Sequence, residues 1–151
     1  MKSIFILSSS FVYFLFISER PGFVNPTGTY TLKGIVKNSK IVGHSGELRV
    51  RLLDTHMIAF SFYINKGYPG YESGALMDTL HYEDNRTVYH PSNDSSCDIY
   101  FQFEEGAVEV IQALTDPHSG CGFSPGVMIP AIFDKTSSEV PVIQDLSSRG
   151  V

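Results

Sequence analysis

Apolar and polar residues alternate with a period of two along much of the chain, and short turn sequences interrupt the alternation. In residues 47–52, Leu48, Val50 and Leu52 share one face while charged residues share the other. After a turn, residues 57–64 repeat the alternation. This period is typical of strands with one buried and one solvated face, so the two segments are predicted to form a β-hairpin.

The same pattern returns in the second half of the chain. Residues 97–104 and 108–114 alternate on either side of a Glu-Gly turn, which predicts a second hairpin with Cys97 on its buried face. Weaker patterns predict further strands at residues 28–37, 76–82, 86–90 and 127–133. Pro130 lies within the last of these, which favours an edge position or a bulge there.

About seven or eight short strands separated by frequent turns are typical of an antiparallel barrel or sandwich. The fold class is therefore all-β. We expect a single small antiparallel β-barrel, lipocalin-like or lysozyme-inhibitor-like, with a sandwich as the alternative. The barrel is favoured because closure removes the edge strands that an exported protein would otherwise have to protect.

The N-terminus has the layout of a secretory signal peptide, with Lys2 followed by an apolar run over residues 4–17. The run is shorter than the roughly 20 residues that span a bilayer. We predict a leader at 1–18 with the cut between 18 and 22, a barrel domain at 23–135 and a C-terminal tail at 136–151. A buried N-terminal strand or an uncleaved anchor is the alternative. Processing would leave no stable membrane span and a periplasmic or secreted protein.

Export affects how the two cysteines are interpreted. In an oxidising compartment Cys97 and Cys121 are the sole intramolecular pair, and a disulfide between them would stabilise the fold by roughly 3 kcal/mol. The alternatives are two buried thiols or one reactive thiol. The five histidines are scattered and lack the spacing typical of zinc sites, so the prediction is no metal and no cofactor.

Charge and motifs narrow the functional classes. Sixteen acidic against eleven basic residues give a net charge of −5, which disfavours nucleic acid as a partner. Phosphate-loop, dinucleotide, hydrolase-elbow and zincin signatures are missing from the sequence, which favours binding over turnover. Asp116, His118 and Ser119 lie close together in one loop, so a small envelope hydrolase using Asp116 and His118 is an alternative. A structural accessory protein is another.

The long irregular segments are the candidate binding regions, because loops on a rigid scaffold carry most recognition. Tyr68 and Tyr71 lie in one of them with Gly and Pro, a composition suited to a sugar or a protein surface. Alternatively, these rings cover the barrel mouth or pack beneath the loop. The expected partner is a protein or glycan of the cell envelope or outside it, and the expected state is a monomer or small homo-oligomer. His118 is included among the candidate binding residues.

Three segments resemble an uncharacterised family of small exported proteins from Bacteroidetes-type bacteria. In that family a strand beginning with Cys precedes a C-G-F-G-x-G-V segment and a closing strand that ends in Lys. The matching segments here are residues 96–103 (SCDIYFQF), 108–112 (VEVIQ) and 120–127 (GCGFSPGV). Ser124 and Pro125 depart from the pattern, which has Gly there. The resemblance implies an exported β-rich protein and no particular activity.

A looser resemblance is to the periplasmic lysozyme inhibitors, which are small exported barrels that insert a Ser-Gly loop into the lysozyme cleft. Of the three Ser-Gly pairs here, Ser73-Gly74 follows Tyr71 and Glu72. The resemblance implies a binding role for Ser73 and Gly74, and an acidic inhibitor would be steered towards a basic enzyme. Ordinary turn chemistry also accounts for such pairs.

Overall fold

The structure is a computed structural model that describes residues 22–144. In this range the chain forms ten β-strands and no helix. The strands are β1 Gly28–Leu32, β2 Ile35–Lys37, β3 Lys40–Val42, β4 Ser45–Leu52, β5 Met57–Asn65, β6 Ser73–His81, β7 Arg86–Tyr89, β8 Cys97–Glu104, β9 Ala107–Leu114 and β10 Ala131–Ser137. The predicted leader at 1–18 and the last residues of the predicted tail, 145–151, lie outside the described residues.

Eight strands form one antiparallel sheet in the order β6-β5-β4-β1-β10-β9-β8-β7, and β2 and β3 form a separate hairpin. The sheet curls until its two edge strands approach each other, where the Thr87 hydroxyl donates a hydrogen bond to the His81 carbonyl at 2.7 Å. The fold is therefore a nearly closed antiparallel barrel. The all-β, single-barrel prediction is confirmed, and the sandwich alternative is wrong because one continuous sheet surrounds the core.

The barrel interior is filled by the apolar members of the alternating pattern, many of them aromatic. The Phe62 ring lies 5.6 Å from the rings of both Phe101 and Phe133, measured between centroids. The Tyr30 ring packs edge-on against Phe103, and burial raises the pKa of Tyr30 well above its ordinary range. Because side chains occupy the interior, binding is expected on the outside of the barrel and on its loops.

Two strand predictions need correction. The segment 28–37 is not one strand, because the chain leaves the sheet after Leu32 and enters the β2–β3 hairpin. The strand predicted at 127–133 begins only at Ala131, since Val127 and Met128 are buried as part of a loop that packs onto the core. An apolar run cannot by itself distinguish a strand from a buried loop. The last strand ends at Ser137, within the segment predicted as a tail.

The chain before β1 is held against one end of the barrel by Asn85. The Asn85 side chain donates to the Gly22 carbonyl at 2.8 Å and accepts from the Val24 backbone N–H at 2.8 Å. The Tyr82 hydroxyl donates to the Val24 carbonyl at 2.7 Å, and burial raises the pKa of Tyr82 to about 12. These contacts make the described N-terminal segment part of the folded domain.

Candidate functional site

All the long connections lie at one end of the barrel. Antiparallel pairing places successive connections at alternate ends of the barrel. In this protein the connections at one end are all longer than those at the other. The loops 33–44, 66–72, 90–96 and 115–130 lie at one end, and the short turns 53–56, 82–85 and 105–106 lie at the other. We call the first the long-loop end. It is the part of the scaffold with the most irregular chain available for recognition.

The β2–β3 hairpin projects from the long-loop end. Asn38 and Ser39 form its turn with φ of 51° and 60°, the left-handed conformation that two-residue hairpin turns require. Ile35 and Val36 point to opposite faces of β2, and they are 70% and 71% exposed. Since both faces carry exposed aliphatic side chains, the hairpin contributes little to the core.

The two predicted binding tyrosines lie against this hairpin. The Tyr68 backbone N–H donates to the Ile41 carbonyl at 2.8 Å, and the Lys40 ammonium lies 4.0 Å from the centroid of the Tyr68 ring. Tyr68 and Tyr71 pack edge to face at 6.3 Å, and they remain 45% and 43% exposed. The rings therefore lie beside a hairpin that is exposed on both faces, with Val36 and Ile41 on one face and Ile35 on the other. We call the whole exposed region the hairpin patch: Ile35, Val36, Ile41, Tyr68 and Tyr71, with the nearby lysines Lys33, Lys37 and Lys40.

The loop that carries the tyrosines is held rigidly. The Asn65 side chain donates to the Tyr71 carbonyl at 2.8 Å and accepts from the Gly67 N–H at 2.7 Å. Gly67 has a φ of 79°, and a Cβ there would meet the carbonyl oxygens of Gly43 and Ile41. A side chain at position 67 would thus separate the loop from the hairpin. This preorganisation lowers the conformational entropy lost on binding.

Ser73 and Gly74 open β6, where they pair with Asn65 and Ile64. The Phe123 ring lies against Gly74 at the position that a Cβ would take. Gly74 therefore gives the 115–130 loop space to pack onto the barrel. This Ser-Gly pair thus lies in a strand rather than in a turn, and its binding role stays a prediction.

His118 lies in the same long loop as Phe123, within a tight turn. Its backbone N–H donates to the Asp116 carboxylate at 2.9 Å, and the Ser119 N–H donates to the Asp116 carbonyl at 3.0 Å. The Ser119 hydroxyl donates instead to the Asp94 carboxylate at 2.6 Å. The acid and hydroxyl of the hydrolase alternative are thus both used in holding the loop.

Asp94 joins two of the long loops. Its carboxylate accepts hydrogen bonds from the Ser119 hydroxyl at 2.6 Å and from the Ser96 hydroxyl and N–H at 2.6 and 3.1 Å. These donors, Ser119 first, lower the pKa of Asp94 to about 2, because they stabilise the charged form. The carboxylate is therefore ionised at neutral pH and holds the 90–96 loop to the 115–130 loop.

A disulfide reinforces this connection. Cys97, at the start of β8, is bonded to Cys121 in the 115–130 loop, with their Cα atoms 5.2 Å apart. Both cysteines are buried, and the Gln112 side chain donates to the Cys121 sulfur at 3.0 Å. The predicted disulfide is confirmed and the free-thiol alternatives are wrong. The bond is compatible with an oxidising, exported location.

The other surface features point less clearly to a ligand. An open groove of about 650 Å³ lies at the short-turn end, between Phe23, Glu104 and Lys135. The Lys135 ammonium lies 3.4 Å from the Asn25 carbonyl, and burial lowers its pKa.

Within residues 22–144 no cluster of three or more His, Cys, Asp or Glu side chains could hold a metal ion. No helix in that range is long and apolar enough to cross a membrane.

The sequence prediction missed the hairpin, although a signal for it exists. Residues 35–42, IVKNSKIV, read almost symmetrically about Asn38-Ser39, with a lysine and two aliphatic residues on each side. Such symmetry about a turn residue pair is typical of a two-stranded hairpin. No family model, no curated protein and no solved structure matches this chain. The functional argument therefore rests on the geometry of the long-loop end.

Proposed function

We propose that the protein is an exported, non-enzymatic binding domain that recognises a macromolecular partner through the hairpin patch. The observation that carries the proposal is the exposure of five large apolar side chains, three on the two faces of a hairpin that contributes little to the core and two on the loop beside it. Burying exposed apolar area is the main driving force of association, and contiguous exposed patches mark interaction sites. The barrel, Asn65 and the Tyr68–Ile41 hydrogen bond hold this surface in place before binding.

The charge of the patch indicates the kind of partner. Lys33, Lys37 and Lys40 lie on or beside the hairpin, and residues 22–46 contain no Asp or Glu. The chain as a whole carries −5, so the residues other than these three lysines sum to −8. The partner is therefore acidic where it meets the hairpin, and this disfavours a basic lysozyme as the target of this surface.

The side chains favour a protein over a glycan. Tyrosine rings suit both, but the aliphatic side chains of Ile35, Val36 and Ile41 have no polar group for sugar hydroxyls. Such side chains are typical of the apolar centre of a protein–protein interface, with lysines at its rim. The location is the periplasm or the outside of the cell, supported by the signal-peptide layout and compatible with the disulfide.

Capture from envelope extract tests the proposal. The full-length protein is expressed in an exporting bacterial host, and the released form is immobilised and incubated with envelope extract. A Tyr68→Ala/Tyr71→Ala variant and an Ile35→Ser/Val36→Ser variant should each lose the captured protein, which mass spectrometry identifies. Leu53→Ser is the control, because Leu53 is exposed at the opposite end of the barrel.

Equal capture by the wild type and both patch variants would refute the assignment of the patch. The mass of the released form reports at the same time whether the predicted leader is removed. Retention of the leader would contradict the predicted processing and leave the binding test unaffected.

A further inference from the structure

We infer that the partner of the hairpin patch is a second copy of this chain, which binds the patch with the outer wall of its barrel. The inference rests on the proposed function and adds the identity of the partner. It accounts for a second exposed apolar surface, on β9 and β10, that the barrel itself does not use.

That second surface is defined by strand register. Ile132 of β10 lies opposite Glu109 of β9, and Ile111 of β9 lies opposite Tyr100 of β8. Their sequence neighbours Val110 and Phe133 are buried, so Ile132 and Ile111 point outward. Ile132 is 60% exposed, which is high for an aliphatic residue in a strand of a closed sheet.

Acidic residues lie beside these isoleucines on the same outer face. Glu109 and Asp134 are both exposed on the same outer face, and Glu104 follows on β8. Two basic residues lie at its margins: Arg86, whose guanidinium is 5.4 Å from the centroid of the Tyr100 ring, and Lys33, which directly follows β1 beside β10. We call Tyr100, Ile111, Ile132, Glu109 and Asp134 the wall patch. It combines branched aliphatic side chains with negative charge.

The two patches are complementary in their apolar side chains and in their charge. The hairpin patch presents branched aliphatic side chains with Lys37 and Lys40 beside its turn, and the wall patch presents isoleucines with Glu109 and Asp134 beside them. Opposite charges around two apolar surfaces favour one orientation of contact and disfavour contact between like surfaces. A single association therefore explains both exposed patches, whereas a foreign acidic partner would explain only the hairpin.

The hairpin is small, so the association is expected to be reversible. Stable interfaces bury at least about 1,200 Å² in total, and contacts below that area are weak and transient. Because lysines and carboxylates lie at the contact, raising the ionic strength from about 0.01 to about 1 M should weaken the association by about tenfold in dissociation constant. Tight, salt-independent association would contradict this arrangement.

Charge reversal provides the test. Sedimentation velocity over a concentration series compares the released wild-type protein with a hairpin variant, Lys37→Glu/Lys40→Glu, and a wall variant, Glu109→Lys/Asp134→Lys. We expect the wild type to associate and each variant alone to be monomeric. An equal mixture of the two variants should associate again, because each supplies the surface that the other has lost. Circular dichroism and thermal melting verify that the variants fold.

The matched control for the wall variant is Asp78→Lys/Glu139→Lys, which also replaces two exposed acidic residues by lysine but lies outside both patches. This control should associate like the wild type. A wild type that is monomeric at every concentration, or a mixture that does not recover association, would overturn the second-copy inference.

The outcomes also separate this inference from the proposed function. Suppose that the wild type is monomeric and captures a foreign envelope protein that the hairpin variant does not capture. The hairpin patch then binds a partner, and that partner is not a second copy. If the wild type is monomeric and instead sediments with vesicles containing anionic phospholipid, a lipid surface is the partner and the inference fails. If the hairpin variant also behaves like the wild type in capture and vesicle assays, both proposals fail.

Discussion

Removing the disulfide should destabilise the barrel without weakening the hairpin patch. In a Cys97→Ala/Cys121→Ala variant, a cross-link between residues 24 apart in sequence is lost. The chain-entropy relation for a loop of this length gives about 3.5 kcal/mol at 25 °C. For a domain of this size that corresponds to a fall in Tm of about 14 °C, at about 4 °C per kcal/mol.

The structure also indicates which part of the protein should be affected by loss of the disulfide. Cys121 lies in the 115–130 loop, whose Phe123 packs against Gly74. The hairpin patch is held mainly by the hydrogen bond from Tyr68 to Ile41 and by the Asn65 side chain, and a hydrogen bond of 2.8 Å between the His44 ring and the Gly126 carbonyl connects its base to the 115–130 loop. Loss of the cross-link should therefore loosen the 115–130 loop, including the His44–Gly126 contact, and leave the hairpin turn at residues 35–42 and its binding affinity unchanged.

Guanidinium unfolding followed by circular dichroism measures the stability, and hydrogen exchange reports the loops separately. The slope of the unfolding free energy with denaturant should rise, because the uncross-linked denatured chain exposes more surface. Wild-type protein reduced before unfolding is the control and should match the variant. A loss below about 1 kcal/mol would refute the entropy argument, and faster exchange in residues 35–42 would refute the independence of the hairpin.

Three further changes test other parts of the structure. Tyr82→Phe removes the hydrogen bond to the Val24 carbonyl and should cost about 1 kcal/mol in urea unfolding, whereas an unchanged midpoint would mean that this bond contributes nothing. Ser61→Ala removes a buried hydroxyl without a hydrogen-bond partner among the described residues, so stability should stay level or rise by up to about 1 kcal/mol, and a clear loss would contradict this. The pKa of Asp94 is about 2 in the folded protein against 3.8 ordinarily, so the stability that the ionised Asp94 contributes is fully present above about pH 4 and is lost as the pH falls through about 2. Urea midpoints across that range should fall less for Asp94→Asn than for the wild type. Parallel curves would mean that the Asp94 carboxylate does not cause the loss of stability at low pH.

Local pattern was sufficient for much of the fold. Strands β4, β5, β8 and β9 follow the segments predicted from alternation, because each has one face in the core and one in water. The disulfide was also predicted from the sequence, since two cysteines permit a single intramolecular pair. The loop containing Tyr68 and Tyr71 was predicted as a recognition element from its composition, and both rings are exposed.

The missed and mistaken elements share a physical cause. The β2–β3 hairpin is solvated on both faces, so it shows no alternation between apolar and polar positions that could reveal it. The segment 127–130 is apolar because it fills space over the core, and its sequence resembles a strand for that reason. In both cases the hydrophobic pattern indicates whether a residue is buried, and burial depends on which residues distant in sequence pack against it.

The sequence by itself determined an all-β domain, its main hairpins, its cross-link and its exposed tyrosines, because these depend on neighbours along the chain. Only the tertiary structure decided which loops meet at one end, that Gly74 makes room for Phe123, and that Ile132 stands beside Glu109 on the outer wall. Those relations depend on how strands distant in sequence pair and how the sheet closes. Register of that kind is set by the packing of the whole barrel, and no local stretch of residues specifies it.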